Sequence, residues 1–543
     1  MSLLRFRKSF FSLVRPTCNK KPLFAPILLK NLSSIPQQPP INQQQQQQST
    51  NISPATHNFG DLPLLQSEER SNRKWTQIEE IDESLAGQEV LIRGRLSSIR
   101  SFSKLAFLVL RENYSTVQAV LAKTKDGQVS AEMLEWTKKI SPESIVDIYG
   151  VVSKTKDEVK ACTQNKVELQ ISKVYVVSRS NPVLPFQLED ASRPFEQGEV
   201  EMEDANPSES AAGSRVLLKT RLDHRVIDLR TRTNQAIMTV QSGVCQLFRE
   251  YLYQKKFVEI HTPKLLGGQS EGGANVFKLK YFDRDACLSQ SPQLHKQMSV
   301  MADFQRVFEI GPVFRAEKSF GPRHLCEFTG LDLEMTIKES YHEVLDVMCE
   351  LFEYIFEGIE KRYAKEVAII KTQYPSEAFK FKNPVVRLTF EEGCQLLKEE
   401  GIHQDPSEDL ETETEKKLGE IVRKKYDTDF FILHKYPIKA RPFYTMPCQE
   451  NPQYTNSYDL FMRGQEIISG AQRVHEPELL IKRAEECGIQ VDTVKDYIDA
   501  FRYGAYPHGG CGIGLERVVM LYFGLGNIRK STLFPRDPSR IAP

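Results

Sequence analysis

The feature that most constrains the fold of this chain is a pair of strand-like runs between residues 308 and 335, joined by a short loop that contains Gly and Pro. In a strand, residues two positions apart lie on the same face, so Arg315 shares a face with Glu317, and Asp332 shares one with Glu334. Gly-Pro pairs favour turns. The pattern therefore predicts an antiparallel hairpin that presents cations and carboxylates together on one open surface.

Such a surface could be a solvated sheet with paired charges, or it could bind an anion. Arg315 offers a planar, permanently charged fork that suits phosphate and carboxylate oxygens. Arg323 and His324, in the connecting loop, could reach the far phosphates of a nucleotide, and Phe328 offers a flat face for a base. These residue types favour nucleotide binding.

The order of these residues is also specific. Phe-Arg-Ala-Glu at residues 314–317 is followed by Arg-His-Leu at 323–325 and by Glu-Phe-Thr-Gly-Leu-Asp at 327–332. This succession resembles motif 2 of the class II aminoacyl-tRNA synthetases, in the form used by the aspartyl-tRNA synthetases.

A long helix and a strand are predicted before the hairpin. Asn234 is predicted to cap a helix whose apolar residues, from Ile237 to Tyr251, keep a 3.6-residue period. The strand that follows stops at Pro263. This order resembles motif 1, which forms the dimer interface in class II synthetases, and therefore implies a homodimer.

A glycine-rich run, Gly-Gly-Cys-Gly-Ile-Gly-Leu-Glu-Arg, occupies residues 509–517 and precedes a predicted helix. It matches neither a dinucleotide fingerprint nor a P-loop. It resembles motif 3 of the same class. Three motifs in this order, with a matching tail at 533–538, extend the resemblance over roughly residues 75–543.

Strand signals dominate from about residue 87 to residue 178, with a helix after the third of five predicted strands. That is the order of an OB barrel, which binds single-stranded nucleic acid on one face. The segment resembles the anticodon-binding domain of aspartyl-tRNA synthetases, and the resemblance implies that Phe107, Gln118 and Glu168 contact the anticodon. For each residue singly, an ordinary structural role remains open: Phe107 could be core and Glu168 a solvated strand residue.

The resemblance implies an α+β protein in which an OB-fold barrel is joined to a catalytic domain built on an antiparallel sheet flanked by helices. Four segments are predicted: a basic and Gln/Pro-rich extension over residues 1–74, the barrel over 75–185, a hinge over 186–220 and the catalytic domain over 221–543.

Further candidates lie on either side of the hairpin. Residues 265–274 carry four glycines, which is typical of a mobile loop, and Glu271 within them is either a solvated carboxylate or a ligand for an ammonium group. Glu466 and Ser469 suit Mg²⁺, which prefers oxygen ligands from one or two carboxylates plus substrate phosphates. Arg473 suits a bidentate grip on a carboxylate. These three side chains do not share a face of a regular strand, so a turn at residues 469–470 is predicted.

The resemblance implies an enzyme that uses ATP, L-aspartate and tRNA(Asp), with Mg²⁺ as cofactor. It implies catalytic roles for Arg315, Glu317 and Arg517. It implies aspartate contacts from Glu271, Gln293, Lys296, Arg315, Ser469 and Arg473, and metal contacts from Glu466 and Ser469. The ATP contacts it implies are Arg315, Glu317, Arg323, His324, Leu325, Phe328, Glu466, Gly514, Leu515, Glu516 and Arg517.

Two alternatives remain at this stage. Asparaginyl-tRNA synthetases are close relatives, but they resemble Gln-Leu-x-Leu where this chain has Gln-Leu-His-Lys, ending at Lys296. A non-catalytic RNA-binding protein of the same fold would be expected to have lost Arg315, Glu466 or Arg517, and all three are present. The Glu- and Lys-rich stretch at 405–425 predicts a solvated helix without chemistry.

The first 60 residues contain no Asp or Glu but seven Lys and Arg, with Leu, Phe and Ser among them. This composition predicts a mitochondrial transit peptide. A disordered basic tail that helps to hold RNA is the alternative. The remaining chain resembles the eukaryotic cytoplasmic form of the enzyme, which leaves the cytoplasm as the alternative location.

The overall composition excludes several other classes of protein. Net charge is zero, so an RNA partner must be held by local basic patches. No apolar run is long enough to span a bilayer, and no membrane partner is expected. The ten cysteines include no CxxC pair, which leaves both a zinc site and a disulfide framework unsupported.

Overall fold

The computed structural model describes residues 57–66, 70–196, 215–268 and 276–543. Within these ranges, no helix is both long enough and apolar enough to cross a bilayer. The predicted leader, the central part of the predicted hinge (197–214) and Glu271 lie outside the described residues.

The N-terminal part of the described chain is a closed β-barrel. Strand β6 pairs with both β5 and β4, and β2 joins β5 to β3, so the sheet closes on itself. Alternate strand residues point inward and are fully buried, Leu108, Leu110 and Val117 among them. The predicted OB fold is confirmed. Its elements are β1 (Phe59–Asp61), β2 (Glu89–Ser101), β3 (Leu105–Glu112), β4 (Ser115–Ala122), α1 (Ala131–Thr137), β5 (Ile145–Lys154) and β6 (Val167–Ser178).

The barrel begins earlier than predicted. Strand β1 lies inside the 1–74 segment, which was predicted to be an extension outside the barrel, and it pairs in parallel with β6. The Phe59 ring packs 5.5 Å from the Trp136 ring, and the Leu62 amide donates to the Val176 carbonyl at 2.8 Å. A strand of three residues is too short to show an alternating pattern, so periodicity could not locate it.

The catalytic part is built on an eight-stranded sheet in the order β13-β14-β15-β16-β17-β12-β11-β7. Neighbours from β14 to β11 are antiparallel, and the outermost pairs at both edges are parallel. The predicted α+β class is confirmed. The strands of this sheet are β7 (Val258–Glu259), β11 (Arg306–Phe314), β12 (Glu327–Thr336), β13 (Val386–Thr389), β14 (Phe430–His434), β15 (Ser457–Met462), β16 (Gln465–Gln472) and β17 (His508–Gly514). A separate three-stranded sheet contains β8 (Leu265–Leu266), β9 (Lys278–Tyr281) and β10 (Arg284–Leu288).

The helices are α2 (Leu188–Ala191), α3 (Leu218–Asp223), α4 (Arg225–Asp228), α5 (Arg232–Gln254), α6 (Gln293–Met301), α7 (His342–Arg362), α8 (Ala364–Gln373), α9 (Phe390–Glu399), α10 (Thr412–Tyr426), α11 (Pro477–Glu486), α12 (Lys495–Arg502) and α13 (Leu515–Phe523). Helices α5, α7 and α13 cover one face of the sheet. On the other face, α9 and α10 pack against β14 and β15, and the part above β11, β12, β16 and β17 is uncovered. The largest core lies between the sheet and α5, α7 and α13. It gives the sheet a rigid backing.

Helix α5 begins two residues before the predicted cap. Thr231 is the N-cap, and its hydroxyl accepts the Asn234 amide hydrogen at 3.4 Å. Asn234 is itself buried inside the helix, where its side-chain amide donates to the Asp228 carbonyl at 2.9 Å. The apolar face is as predicted, because every periodic residue from Ile237 to Tyr251 is buried. The strand predicted after it shortens to β7, a two-residue edge strand.

Buried polar contacts join the barrel to the catalytic part. Glu143 accepts from Arg111 of the barrel at 2.8 Å and from Arg230, just before α5, at 3.0 Å. The Tyr114 hydroxyl donates to Glu366 of α8 at 2.6 Å. These bonds fix the outer face of β3 relative to the start of α5.

Candidate active site

A cleft of about 370 Å³ opens on the uncovered face of the sheet, above β11, β12, β16 and β17. It brings together most of the side chains that the sequence predicted for the site. Those that line it are Gln293, Arg315, Glu317, Arg323, His324, Leu325, Phe328, Glu466, Ser469, Arg473, Gly514, Glu516 and Arg517.

Two predicted residues lie away from the cleft surface. Lys296 is 1% exposed and lies beneath the cleft floor. The side chain of Leu515, predicted to contact ATP, packs into the hydrophobic core beneath the sheet, so the structure does not bring it to the cleft.

The hairpin at residues 306–336 differs from its prediction at the tip. Strand β11 ends at Phe314, so Arg315 and Glu317 are not two residues of one strand. Pairing continues for one more bond, because the Arg315 amide donates to the Cys326 carbonyl at 2.9 Å. This bond places the Arg315 guanidinium over the Phe328 ring, 5.6 Å from its centroid.

The Arg315 side chain carries a donor with no acceptor in the described part of the chain. Its Nε is buried and makes no hydrogen bond there. Because leaving a buried donor unpaired costs about 1–3 kcal/mol, this nitrogen is held ready for a ligand oxygen. The arrangement suits binding of a phosphate or a carboxylate.

A β-bulge, rather than a turn, aligns the side chains of β16. Phe461 pairs with Glu466 and Leu460 pairs with Ile468, which leaves Ile467 as the extra residue. Two residues on the bulged strand then oppose one on its partner, and the alternation beyond the bulge is reversed. Glu466 and Ser469 therefore face the cleft together, as does Arg473. The predicted turn at 469–470 is wrong, since β16 runs unbroken through both residues.

Three charged residues of the cleft were not predicted as site residues. Asp459 lies directly across from Ser469, and Arg441 grips both Asp459 oxygens at 3.0 and 2.6 Å. Asp409 also lines the cleft, and burial raises the pKa of its carboxyl. Burial, with Asp459 nearby, also raises the pKa of Glu466. Arg441 and Asp459 are 18 positions apart on different elements, so no local pattern links them.

The start of α13 contributes a further cation, Arg517, to the site. Arg517 donates to the Glu466 carbonyl at 2.8 Å and to the Arg323 carbonyl at 3.3 Å, and so it ties motif 3 to the hairpin. Glu516 points the other way and accepts the Thr329 amide hydrogen at 3.1 Å on each oxygen. Burial raises the pKa of Glu516 to about 7.

Arg323 is held by a residue from a stretch that the sequence predicted to be solvated. Glu415, on α10, is buried and ion-pairs with Arg323 at 2.8 Å. Burial raises the pKa of Glu415, although Arg323 opposes the shift. The prediction of a helix was right, although it begins only at Thr412, but the prediction that the stretch is solvated was wrong for the face that buries Glu415, Leu418 and Val422. A single buried carboxylate among many charges has no distinguishing sequence signal.

The far end of the cleft is a buried charge cluster. Lys296 donates to Asp332 at 3.0 Å and to the Cys511 carbonyl at 2.9 Å, and it lies 3.4 Å from Glu334. Arg473 forks onto Glu334 at 2.9 and 3.2 Å and also donates to the Gly510 carbonyl. Burial alone would raise the pKa of Glu334, but Arg473 and Lys296 hold it below its ordinary value.

This cluster bears on how the predicted aspartate contacts of Lys296 and Arg473 could work. The two cations do not lie unpaired, since Asp332 and Glu334 already face them. Among these bonds, Nη1 of Arg473 is the guanidinium nitrogen that neither Glu334 nor Gly510 uses. A ligand carboxylate would therefore meet Arg473 through Nη1, in a cluster where Asp332 and Glu334 already balance the charges of Lys296 and Arg473.

A chain of neutral polar groups fixes Gln293 beside the cluster. Gln293 donates to Gln297 at 2.8 Å, and the Gln297 amide contacts His508 Nε2 at 2.9 Å. The other ring nitrogen of His508 lies 2.7 Å from the Tyr506 carbonyl, so it carries the proton. Burial lowers the pKa of His508 to about 4, which keeps the ring neutral at physiological pH.

The predicted anticodon residues lie together on the outer face of the barrel. Phe107 is half-buried outside the core and packs edge-to-face on Phe102 with centroids 6.1 Å apart. Gln118 and Glu168 are register partners on β4 and β6 and are hydrogen-bonded at 3.1 Å. A groove of about 770 Å³ beside them is also lined by Arg100, Arg111, Arg230 and Arg232. Phe102, exposed in a loop, was not predicted.

Comparison with known families assigns both parts of the chain. Residues 90–177 match the model of the OB-fold nucleic acid binding domain. Residues 218–538 match the model of class II tRNA synthetases for D, K and N. The fold and the cleft thus define a class II aminoacyl-tRNA synthetase.

Individual relatives narrow the assignment. Cytoplasmic aspartate–tRNA ligase 2 from Arabidopsis thaliana is 52% identical over 501 residues, with 90% of this chain and 89% of the relative covered. An aspartyl-tRNA synthetase structure from Entamoeba histolytica is 46% identical with a TM-score of 0.81, covering 90% of this chain and 97% of that one. The chain belongs to the aspartate–tRNA ligase family.

The same comparisons weigh against the asparaginyl alternative. The asparaginyl-tRNA synthetase of Pyrococcus horikoshii, complexed with asparaginyl-adenylate, superposes with a TM-score of 0.74 at 29% identity, covering 87% of this chain and all of that one. Both values are lower than those for the aspartyl enzyme. The shared fold covers both specificities, and the sequence identity separates them.

The predicted mitochondrial location is wrong. The Arabidopsis relative is a cytoplasmic enzyme and matches 90% of this chain. The leader prediction depended on composition, namely cations without carboxylates. That composition also suits a basic extension, because electrostatic attraction to RNA and import along a membrane potential require the same residues.

Proposed function

We propose that the cleft activates L-aspartate with ATP and transfers it to tRNA(Asp). The aspartate α-carboxylate would attack the α-phosphorus, a new P–O bond would form, and pyrophosphate would leave with the electrons of the broken bond. The terminal ribose hydroxyl of the tRNA would then attack the acyl carbon and release AMP. The observation that carries this proposal is one cleft with a buried Lys296–Arg473 charge cluster at one end and Arg315, Arg323 and Arg517 at the other.

The charge cluster supports binding of an acidic side chain. Lys296 and Arg473 would attract the side-chain carboxylate of aspartate, with Gln293 beside them. Glu271 is proposed to bind the ammonium group of aspartate. An asparagine amide would place N–H groups against donors in a buried site, which leaves polar groups unpaired. Such mismatches discriminate strongly because no water is present to compensate.

The other end suits ATP. Arg315 would bridge the α-phosphate and the attacking carboxylate, since its buried Nε has no acceptor among the described residues. Arg517, Arg323 and His324 would hold the outer phosphates. Phe328 would stack on adenine, with Glu317 accepting from its amino group and with Leu325, Gly514 and Glu516 shaping the base pocket. Alignment and charge neutralisation lower the barrier without a protein nucleophile.

Mg²⁺ fits the donor set on β15 and β16. Glu466, Ser469 and the facing Asp459 offer the hard oxygen ligands that it prefers, and phosphates would complete the shell. In the described part of the chain, no cluster of three His, Cys, Asp or Glu side chains could hold a metal alone, which agrees with a site completed by ATP. The bound ion would neutralise phosphate charge. Glu466 and Ser469 would orient it.

The barrel face supports tRNA recognition, and the sheet edge supports a homodimer. Phe107 would stack on an anticodon base while Gln118 and Glu168 contact base edges. At the edge strand β7, exposed apolar residues lie near α5: Val258 is 45% exposed and Tyr253 53%. Covering such a face is the expected role of motif 1.

Amino-acid-dependent ATP–pyrophosphate exchange with the purified full chain tests the activation step. Exchange with L-aspartate and none with L-asparagine is expected, followed by charging of tRNA(Asp). Parallel charging of tRNA(Asn) defines tRNA selectivity. Equal exchange with the two amino acids would contradict the proposed role of the charge cluster.

A further inference from the structure

Arg441 occupies an unusual place in the cleft. It follows a short 3₁₀ turn, Ile438–Ala440, between β14 and β15, and only 7% of its side chain is exposed. Its Nη1 donates to Asp459 at 3.0 Å and to the Ser469 hydroxyl at 2.7 Å, and its Nη2 donates to Asp459 at 2.6 Å. The guanidinium stacks on Tyr436, 3.9 Å from the ring centroid.

The acceptors that Arg441 takes belong to the proposed Mg²⁺ site. Ser469 and Asp459 are cross-strand partners, and the bulge at Ile467 places Glu466 on the same face. A metal ion bound to these oxygens would compete with the guanidinium for the same lone pairs. The Arg441 guanidinium therefore already neutralises the oxygens that would bind the metal ion.

Arg441 does not use all of its hydrogen-bond donors. Its Nε is buried and has no hydrogen-bond partner in the described residues. Asp409 lines the same cleft, and attraction to Arg441 lowers the pKa of its carboxyl against the larger effect of burial. Because a buried donor left unpaired costs about 1–3 kcal/mol, a position that gave Nε an acceptor would offset part of the cost of leaving Asp459.

We propose that Arg441 is a positioning residue that substitutes for the divalent cation until nucleotide arrives. Without ATP, the guanidinium neutralises Asp459 and occupies Ser469, which excludes the ion. With ATP, the phosphates supply acceptors for the guanidinium and oxygen ligands for the ion, and the two cations change places. The metal site is thereby coupled to nucleotide. This inference depends on the metal site of the proposed function.

Mn²⁺ binding followed by electron paramagnetic resonance tests the exchange on the full chain. The wild type should bind Mn²⁺ weakly alone and tightly with a non-hydrolysable ATP analogue. Arg441→Met should bind Mn²⁺ without nucleotide at least about tenfold more tightly than the wild type, because a competing positive charge is removed from the ligands. Arg441→Lys should fall between, since an ammonium cannot grip two carboxylate oxygens and a hydroxyl in one plane.

Thermal unfolding separates this role from a purely structural ion pair. Arg441→Met should unfold at a lower temperature than the wild type and recover with Mn²⁺, because the ion replaces the lost charge beside Asp459. A structural pair would give a loss that Mn²⁺ does not restore. Arg387→Met is the matched control: it removes an arginine paired with Asp346 at 2.7 Å outside the cleft, and it should leave Mn²⁺ affinity unchanged.

The outcomes distinguish the two proposals. If Mn²⁺ binds the wild type with nucleotide, and Glu466→Gln abolishes that binding, the metal site stands. Unchanged nucleotide-free affinity in Arg441→Met and Arg441→Lys would then overturn the exchange. If no variant binds Mn²⁺ even with nucleotide, the metal site of the proposed function fails and the exchange fails with it. Should Arg441→Met not fold, Arg441→Lys and its Mn²⁺ affinity decide.

Discussion

Arg473 and Glu334 form a two-point ion pair at the closed end of the cleft, with Nε–Oε1 at 2.9 Å and Nη2–Oε2 at 3.2 Å. Both side chains are almost completely buried. The pair orients Arg473 before any substrate arrives. We therefore expect the pair to affect stability and, since Arg473 is proposed to bind aspartate, recognition of the amino acid.

Glu334→Gln should lower the free energy of unfolding by about 3 kcal/mol, because it leaves the buried charge of Arg473 without its counter-ion. It should also raise KM for aspartate more than KM for ATP. Urea unfolding and pyrophosphate exchange measure the two effects. Glu327→Gln, at an exposed position on the same strand, is the control, and equal changes in both KM values would show that Glu334 acts only on stability.

Arg315→Ala should abolish adenylate formation while the fold is retained, since one cation is proposed to serve both reacting anions. A loss of about a thousandfold or more in pyrophosphate exchange is expected. Lys318→Ala, an exposed neighbour, should stay close to the wild type. Activity of Arg315→Ala within tenfold of the wild type would rule out this role.

Gly510→Ala should destabilise the protein severely. A Cβ at this position would lie 2.1 Å from the Leu333 carbonyl oxygen and 2.4 Å from Glu334 Oε2, so the backbone of β12 and the buried ion pair would have to move. A cost of about 3 kcal/mol or more follows from such overpacking. Gly514→Ala, where the nearest atom is 3.6 Å away, should be nearly neutral in thermal unfolding.

The protein should lose stability as pH falls from about 6.5 toward 4, in part through His508. An unfolded histidine has a pKa of about 6.5, whereas burial lowers that of His508 to about 4. Between these values the unfolded chain binds a proton that the folded chain does not, which costs up to about 1.4 kcal/mol per pH unit. Burial also lowers the pKa of His434 to about 4, with the same sign.

His508→Gln should therefore have a shallower pH dependence of unfolding than the wild type, even if it is less stable overall. Urea midpoints between pH 7 and pH 4.5 give the slope. His261→Gln, which replaces an exposed histidine, should keep the wild-type slope. Parallel slopes for His508→Gln and the wild type would mean that folding does not shift the pKa of His508.

Phe107→Ala should weaken charging of tRNA(Asp) but spare pyrophosphate exchange, because the barrel face is remote from the ATP end of the cleft. Loss of one stacked base costs about 1–3 kcal/mol. Phe282→Ala, an exposed phenylalanine outside the barrel, is the control. A parallel fall in both reactions would indicate that Phe107 supports the fold instead.

Local patterns were sufficient for most of the elements. Alternation located β2 to β6, and the 3.6-residue period located α5, because both patterns depend only on neighbours in the chain. These local patterns did not predict features that depend on how two strands pair. The bulge at Ile467 depends on how β15 pairs with β16, and nothing in β16 alone requires it. The motif resemblance predicted Glu466 and Ser469 correctly as cleft residues, but the device that aligns them was missed.

Residues from distant elements were missed for a related reason. Arg441 is in a connecting segment and pairs with Asp459 in the cleft, whereas Glu415 is on a charge-rich helix and reaches the site only through its ion pair with Arg323. Neither partner is near in the sequence, so no local pattern links them. The prediction of a mitochondrial leader in the N-terminal extension was wrong for a different reason. The composition of the extension suits two roles with the same charge requirement, so only comparison with whole relatives could separate them.

Because Ile467 is the extra residue of the bulge, the side chains that face the cleft depend on where the bulge lies as well as on which residues β16 contains. If the bulge moved by a few residues along β16, the side chains between the old and new positions would exchange faces, and the rest of the sheet would keep its pairing. A chain could therefore acquire or lose a cation-binding face without replacing any of the residues that form it. Insertions and deletions in this strand deserve as much attention as substitutions when variants of the enzyme are compared or designed.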